Sequence, residues 1–132
     1  MMKYAASERN KNPILSELVK YIKDDTFVLE IASGTGQHIT HFAMHFTRVK
    51  FQPTEIEDQL LQSIGFYIEH YKLQNVIQPA HLNVQSNPDT WLDGKLSPAS
   101  VDYILNSNMI HISPFDVCEG TSEINFSIKK LI

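Results

Sequence analysis

The chain has 132 residues, 42% of them hydrophobic, which suits one globular domain with a real core. Its 11 basic and 15 acidic residues give a net charge of −4, without the clustered Lys and Arg that a nucleic-acid partner requires. Cys118 is the single cysteine, which excludes an internal disulfide and suits a reducing compartment. The start, MMKYAASERNKNP, lacks the apolar core of a signal peptide, and no apolar run approaches the roughly 18 residues of a membrane span. The expectation is an intracellular protein, of cytoplasm or nucleus, with no membrane partner.

In chain order, Asn12-Pro13 predicts the start of a first helix, with Asn12 as cap and Pro13 at the first helical position. Ile14, Leu15, Leu18, Val19 and Ile22 recur at helical spacing until Asp24-Asp25 breaks the pattern. Phe27 to Ile31 is nearly all apolar, as in a strand buried on both faces of a parallel sheet. After two glycines, Ile39, Phe42, Ala43 and Phe46 form one face of a second helix. Val49 to Phe51 reads as a short strand ended by Pro53.

Ile56, Leu60, Leu61, Ile64 and Ile68 mark a third helix, weakened by Gly65. Val76 to Leu82 holds a third strand, and Pro79 places it at an edge. Residues 85–100, rich in Asn, Pro, Ser and Asp, read as loop with one helical turn at Trp91-Leu92. Val101 to Leu105 is a fourth strand. Ser113-Pro114 then begins another helix, with Asp116 completing a capping box. Strands alternating with helices predict a parallel α/β sheet, whose ligands sit beyond the carboxyl ends of the strands.

That rule directs attention to LEIASGTGQH, residues 29–38. A strand ending in the acid Glu30, then Gly34 and Gly36, then a helix start can seat a nucleoside, because glycine admits close approach and positive φ while the helix N-terminus offers free N–H groups. The spacing is not the full dinucleotide fingerprint, and a plain strand-to-helix turn reads equally well from the loop alone. Further along, PTEIE (residues 53–57) puts Glu55, with Glu57 in reserve, where an acid can hold two ribose hydroxyls. The plain alternative is acid enriching the first turn of a helix.

Other constellations are weaker. His38, His41 and His45 share one side of the second helix at a spacing that can hold a metal, yet no Cys or Asp completes the set, and a solvated or half-buried helix flank is the favoured reading. No metal is assigned. Cys118 has no evident catalytic partners and reads as a packing residue. Phe66, Tyr67 and Tyr71 read as core rather than as a platform for stacking bases.

The blocks SERNKNPIL, VLEIASGTGQH, FQPTEIE and NSNMIHISPFDVCEG, in that order, resemble the methyltransferase-like 26 family, over about Ala5 to Gly120. The resemblance implies a Rossmann-like parallel sheet of the class I methyltransferase type and S-adenosylmethionine as cofactor. It implies a cofactor loop of Glu30, Ala32, Gly34 and Gly36, with Ala32 standing where many relatives have a glycine. It implies Glu55 on the ribose and Asn83 near the adenine, at a position often held by Asp. Asn108 then lies where the cofactor's methionine end meets the substrate. Arg9 and Asn10 belong to a block that folds over the cofactor. His111, close to Asn108, is the candidate general base, with packing beside the strand end as its plain alternative.

The resemblance also implies that residues 1–120 are the N-terminal part of a methyltransferase-like domain holding about four of some seven strands, in order 3-2-1-4. Residues 121–132, TSEINFSIKKLI, read as a divergent tail, as an alternative transcript end or an altered gene model would leave. The fourth strand would then present an open edge, to which the tail, another protein or a second copy can pair. The expected function is S-adenosylmethionine binding with an unknown substrate and an activity compromised by truncation. A non-catalytic isoform acting through that edge is the alternative, and a nucleotide-binding oxidoreductase domain ranks third.

Overall fold

A computed structural model describes residues 1–83, 86 and 101–106. Seven elements follow one another: α1 (Ala5–Leu18), β1 (Phe27–Glu30), α2 (Gln37–His45), β2 (Lys50–Glu55), α3 (Asp58–Tyr71), β3 (Ala80–His81) and β4 (Tyr103–Leu105). The four strands form one parallel sheet in the order β3-β2-β1-β4, as the family resemblance implies. Phe27 to Glu30 face Lys50 to Pro53 on one side, and Val28 to Glu30 face Tyr103 to Leu105 on the other.

Side-chain alternation divides the sheet. Val28, Phe51, Tyr103 and Leu105 join Ile39, Phe42, Ala43 and Phe46 of α2, Ile64 and Ile68 of α3 and Leu18 of α1 in one core. The predicted face of α2 is thus the buried one. Leu29 and Ile104, on the opposite face of the strands, are 1% exposed, so the sheet is buried on both faces, as the continuous apolar run of β1 predicts.

Three local readings need correction. First, α1 begins at Ala5, and Pro13 lies inside it. Proline removes only one donor, and the first turns are anchored from outside: Tyr4 N–H donates to Gln37 Oε1 at 2.6 Å and Ser7 is buried.

Second, β2 does not stop at Pro53. The Phe51 N–H and C=O both bond toward the β3 side, with Asn75 and Ile77, so by alternation Pro53 faces that side too. Its missing donor falls in a gap between the Phe51–Val76 bridge and the Thr54–Ala80 pair. The Gln52 side-chain amide fills this gap, donating to the Pro53 carbonyl at 2.9 Å and the Gln78 carbonyl at 3.0 Å. A proline therefore sits in an inner strand at no cost to the β1 ladder. β3 itself shrinks to two residues at the sheet edge, where Pro79 was expected to place it.

Third, of the aromatic series only Tyr67 is core, at 3% exposure, whereas Phe66 is 51% and Tyr71 41% exposed. Ile56, read as part of the third helix, precedes it and is 55% exposed. The expected strands end near their predicted bounds otherwise. The turn at Trp91-Leu92, the helix from Ser113 and the tail 121–132 lie outside the described residues.

Candidate functional site

The site grows from the carboxyl end of β1. Glu30 is 0% exposed and lies between Pro53 of β2 and Leu105 of β4. Among the described residues neither of its carboxylate oxygens has a hydrogen-bond partner. Burial pushes its pKa up to about 8, with the nearby Ser33 hydroxyl opposing the rise and the Glu55 charge adding to it.

The loop that follows is pinned on both flanks. Ile31 N–H donates to the Leu105 carbonyl at 2.8 Å, and Ser33 N–H to the Thr54 carbonyl at 2.9 Å. Thr54 answers with its own N–H to Ser33 Oγ at 3.0 Å. Gly34 N–H donates to Glu55 Oε2 at 2.9 Å, while Ile56 N–H donates to Glu55 Oε1 at 2.9 Å. Glu55, 8% exposed at the end of β2, thus reaches across to the glycine loop.

Every second residue of that loop is left-handed: Ala32 at φ 54°, Gly34 at 65° and Gly36 at 104°. A Cβ on Gly36 would lie 3.0 Å from Tyr67 Cδ2 and 3.1 Å from Ile64 Cα, so this glycine also sets how closely the loop meets α3. Ala32 adopts the same hand with a side chain, a conformation that costs roughly 1–2 kcal/mol in an L-residue. The surrounding hydrogen bonds hold it there.

The N-terminal block packs on the start of α2 rather than standing apart. Gln37, 5% exposed, is the junction: its Oε1 accepts from Tyr4 N–H at 2.6 Å and Thr35 Oγ1 at 2.9 Å, and its Nε2 donates to Glu8 Oε2 at 2.9 Å. Ser63 of α3 donates to the Thr35 carbonyl at 2.7 Å and accepts from Met2 N–H at 2.8 Å. Asn10 Oδ1 lies 2.7 Å from His38 Nε2, so this asparagine side chain engages a histidine. Arg9 is exposed on the outer side of α1.

Of the other expected site residues, Asn83 follows β3 and is exposed. Asn108, His111 and Cys118 lie outside the described residues. The three histidines of α2 differ in environment: His38 is buried, His41 intermediate and His45 exposed. His38 is therefore a core residue rather than a half-buried flank, and burial lowers its pKa. Among the described residues no group of three His, Cys, Asp or Glu side chains gathers as a metal site would. No described helix is long and apolar enough to cross a membrane.

Sequence reading missed Ser33, Thr54, Gln37 and Ser63, which brace the loop. The available signal was polarity at positions a buried strand or helix start would otherwise fill with apolar residues. Thr54 in the run FQPTE is the clearest case, being 0% exposed.

The model of a family described as "Protein of unknown function (DUF938)" matches residues 1–124. The chain belongs to this family. Its fold is similar to that of a putative S-adenosyl-L-methionine-dependent methyltransferase from Methanococcus maripaludis, at TM-score 0.68 and 13% identity over 89% of this chain and 53% of that one. A putative methyltransferase from Bacillus halodurans gives TM-score 0.66 and 20% identity, covering 89% of this chain and 48% of the other. TYW2 of M. jannaschii, solved in complex with AdoMet, gives TM-score 0.58 and 15% identity, covering 80% and 42%. The family member described here thus has the Rossmann-like fold of class I methyltransferases, and it spans about half the length of the solved structures it matches.

Proposed function

We propose that this chain binds S-adenosylmethionine at the carboxyl ends of β1 and β2, as the cofactor half of a methyltransferase-like domain of the methyltransferase-like 26 group. The observation that carries the reading is the pairing of a buried, unpartnered Glu30 with a neighbouring loop of three left-handed residues and the Glu55 carboxylate. The donor set fits the cofactor. An unpartnered carboxylate suits a cation, and S-adenosylmethionine brings both a sulfonium and an ammonium. Glu55 uses two of its roughly four acceptor positions on backbone N–H groups, which leaves two for ribose hydroxyls. Gly34 places no side chain between backbone and ligand, and Gly36 lets the loop close on Tyr67 and Ile64 of α3.

When bound, the cofactor supplies an activated methyl group. The chain's own task is to hold and orient it and to keep water from the buried acid. Asn83 is assigned to the adenine end, Arg9 and Asn10 to the covering block, Asn108 to the meeting point of cofactor and substrate, and His111 to proton removal from the substrate. The substrate and the transfer step belong to this proposal as well.

Calorimetric titration with S-adenosylmethionine tests it. Saturable heat from wild type, weakened at least tenfold in Glu55→Ala, is the expected outcome. A chain that circular dichroism shows folded but that gives no heat removes the reading.

A further inference from the structure

From Phe51 to Glu55 β2 is buried, yet two hydroxyls meet at its carboxyl end. Thr54 is 0% exposed, and Ser33, from the loop after β1, is 1% exposed. In a parallel ladder alternate amides of one strand donate to the next, as Lys50 N–H does to the Thr26 carbonyl at 3.0 Å. Two rungs on, the Thr54 N–H comes level with the Glu30 carbonyl. The hydroxyls enter at this rung. Thr54 Oγ1 donates to the Glu30 carbonyl at 2.6 Å, and Thr54 N–H donates to Ser33 Oγ at 3.0 Å. Ser33 N–H returns a bond to the Thr54 carbonyl at 2.9 Å. Valine fills nearly the same space without a hydroxyl, so packing alone does not call for threonine here. A buried polar pair with its bonds made fixes direction.

The next residue on each side continues the contact. Gly34 N–H donates to Glu55 Oε2, and Ile56 N–H to Glu55 Oε1, each at 2.9 Å. Two successive loop residues are thus tied to two successive residues of β2. On the far side the Glu55 carbonyl accepts from Leu82 N–H at 3.1 Å, which holds its backbone to the strand after it. A carboxylate has roughly four acceptor positions, and these bonds use one on each oxygen. The remaining positions lie side by side, one per oxygen, which suits two neighbouring hydroxyls.

We propose that Thr54, with Ser33, is a positioning residue that aims Glu55 at a vicinal diol, and so sets the preference of the site for a ribose over a 2′-deoxyribose. This rests on the cofactor reading above and adds to it the residues that act through Glu55 without touching the ligand. The clamp is built before ligand arrives, so the aim of Glu55 costs nothing at the moment of binding. Without the Thr54 hydroxyl the loop and β2 are joined at this rung by main-chain contacts alone, and Gly34 no longer holds Oε2 in place.

Calorimetry with S-adenosylmethionine and with its 2′-deoxy analogue tests this. Wild type should prefer the ribose form by at least about tenfold, as the loss of a hydrogen bond to a charged group implies. Thr54→Val should lower affinity for the ribose form by about tenfold and leave that for the deoxy form within about threefold of wild type. Thr54→Ser, which keeps the hydroxyl, should restore the preference. An equal loss for both ligands, or an unchanged preference, overturns the positioning role. Binding by wild type without preference also overturns it but leaves cofactor binding standing, whereas no binding of either ligand to the folded chain removes the cofactor reading itself. If Thr54→Val fails to fold, Ser33→Ala must show the same loss of preference. Ligand-free wild type supplies a reading that needs no variant: amide exchange must find the Gly34 N–H protected, and rapid exchange there sinks the proposal.

Discussion

The two ends of the sheet treat their polar groups in opposite ways. At the amino ends, the buried polar side chains among the described residues find partners. Asn75 Nδ2 donates to the carbonyls of Ala43, Phe46 and Val49 at 2.9–3.1 Å. Asp102 accepts from Phe27 N–H at 2.9 Å, and Arg48 pairs with Asp24 and Asp25. A cleft of about 450 Å³ opens there beside Asp25, Arg48 and Gln74, and its charges answer one another. At the carboxyl ends, Glu30 is buried with no hydrogen-bond partner for its carboxylate among the described residues, beside a loop of repeated left-handed turns. Backbone hand alone does not mark the difference, since Asp25 is also left-handed at φ 61°. The unsatisfied carboxylate does. One end closes the fold, and the other leaves a buried carboxyl unsatisfied at the expense of stability.

Breaking the paired end should have the largest effect. Asn75→Ala removes a donor from three carbonyls, of which that of Phe46 keeps the Val49 N–H, and should destabilise by about 3 kcal/mol in urea unfolding. A change of less than about 1 kcal/mol would mean that water replaces the side chain at little cost and that the two ends are less different than they look.

The second test acts in the opposite direction. Folding raises the Glu30 pKa from 4.5 to about 8, so its favourable share is complete below pH 4.5 and is lost as pH rises toward 8. Glu30→Gln should therefore stabilise the ligand-free protein by about 2–3 kcal/mol at pH 7, with little gain at pH 4. His38 opposes this trend, because its lowered pKa gives stability that is present above its ordinary 6.5 and lost as pH falls. Unfolding series of the Glu30→Gln and His38→Gln variants across pH 4 to 8 separate the two slopes.

Smaller effects refine the loop. Gly36→Ala introduces a Cβ 3.1 Å from the Ile64 backbone at a φ of 104°, and a loss of about 2 kcal/mol is expected in thermal unfolding. Ala32→Gly relieves a left-handed alanine at φ 54° while adding freedom to the unfolded chain. The net gain should be only about 0.5 kcal/mol, and a loss instead would show that the alanine methyl packs usefully.

Some of this was legible in the residues themselves. The apolar run of β1 announced a doubly buried strand, and Ile39, Phe42, Ala43 and Phe46 announced the buried face of α2, because both patterns are local and periodic. LEIASGTGQH and Glu55 were read as parts of one site, and the structure brings them together at the carboxyl ends of β1 and β2 through the Gly34–Glu55 bond. What failed were inferences from single residues. Pro13 and Pro53 looked like boundaries, yet Tyr4–Gln37 contacts and the Gln52 amide hold those elements together from a distance. Phe66 looked like core from its type, although its helical position points it outward.

The sequence by itself determined the alternation of strands and helices, the apolar faces and the place of the glycine loop, since each depends on neighbours a few residues away. The tertiary structure decided the hand of Ala32 and the burial of His38. It also decided the charge state of Glu30, because that depends on what β2, β4 and the loop withhold. A glutamate at the end of an apolar strand is common chemistry until its surroundings are known. Here Thr54 and Ser33 direct their hydroxyls to its main-chain carbonyl, and among the described residues neither carboxylate oxygen finds a close hydrogen-bond partner.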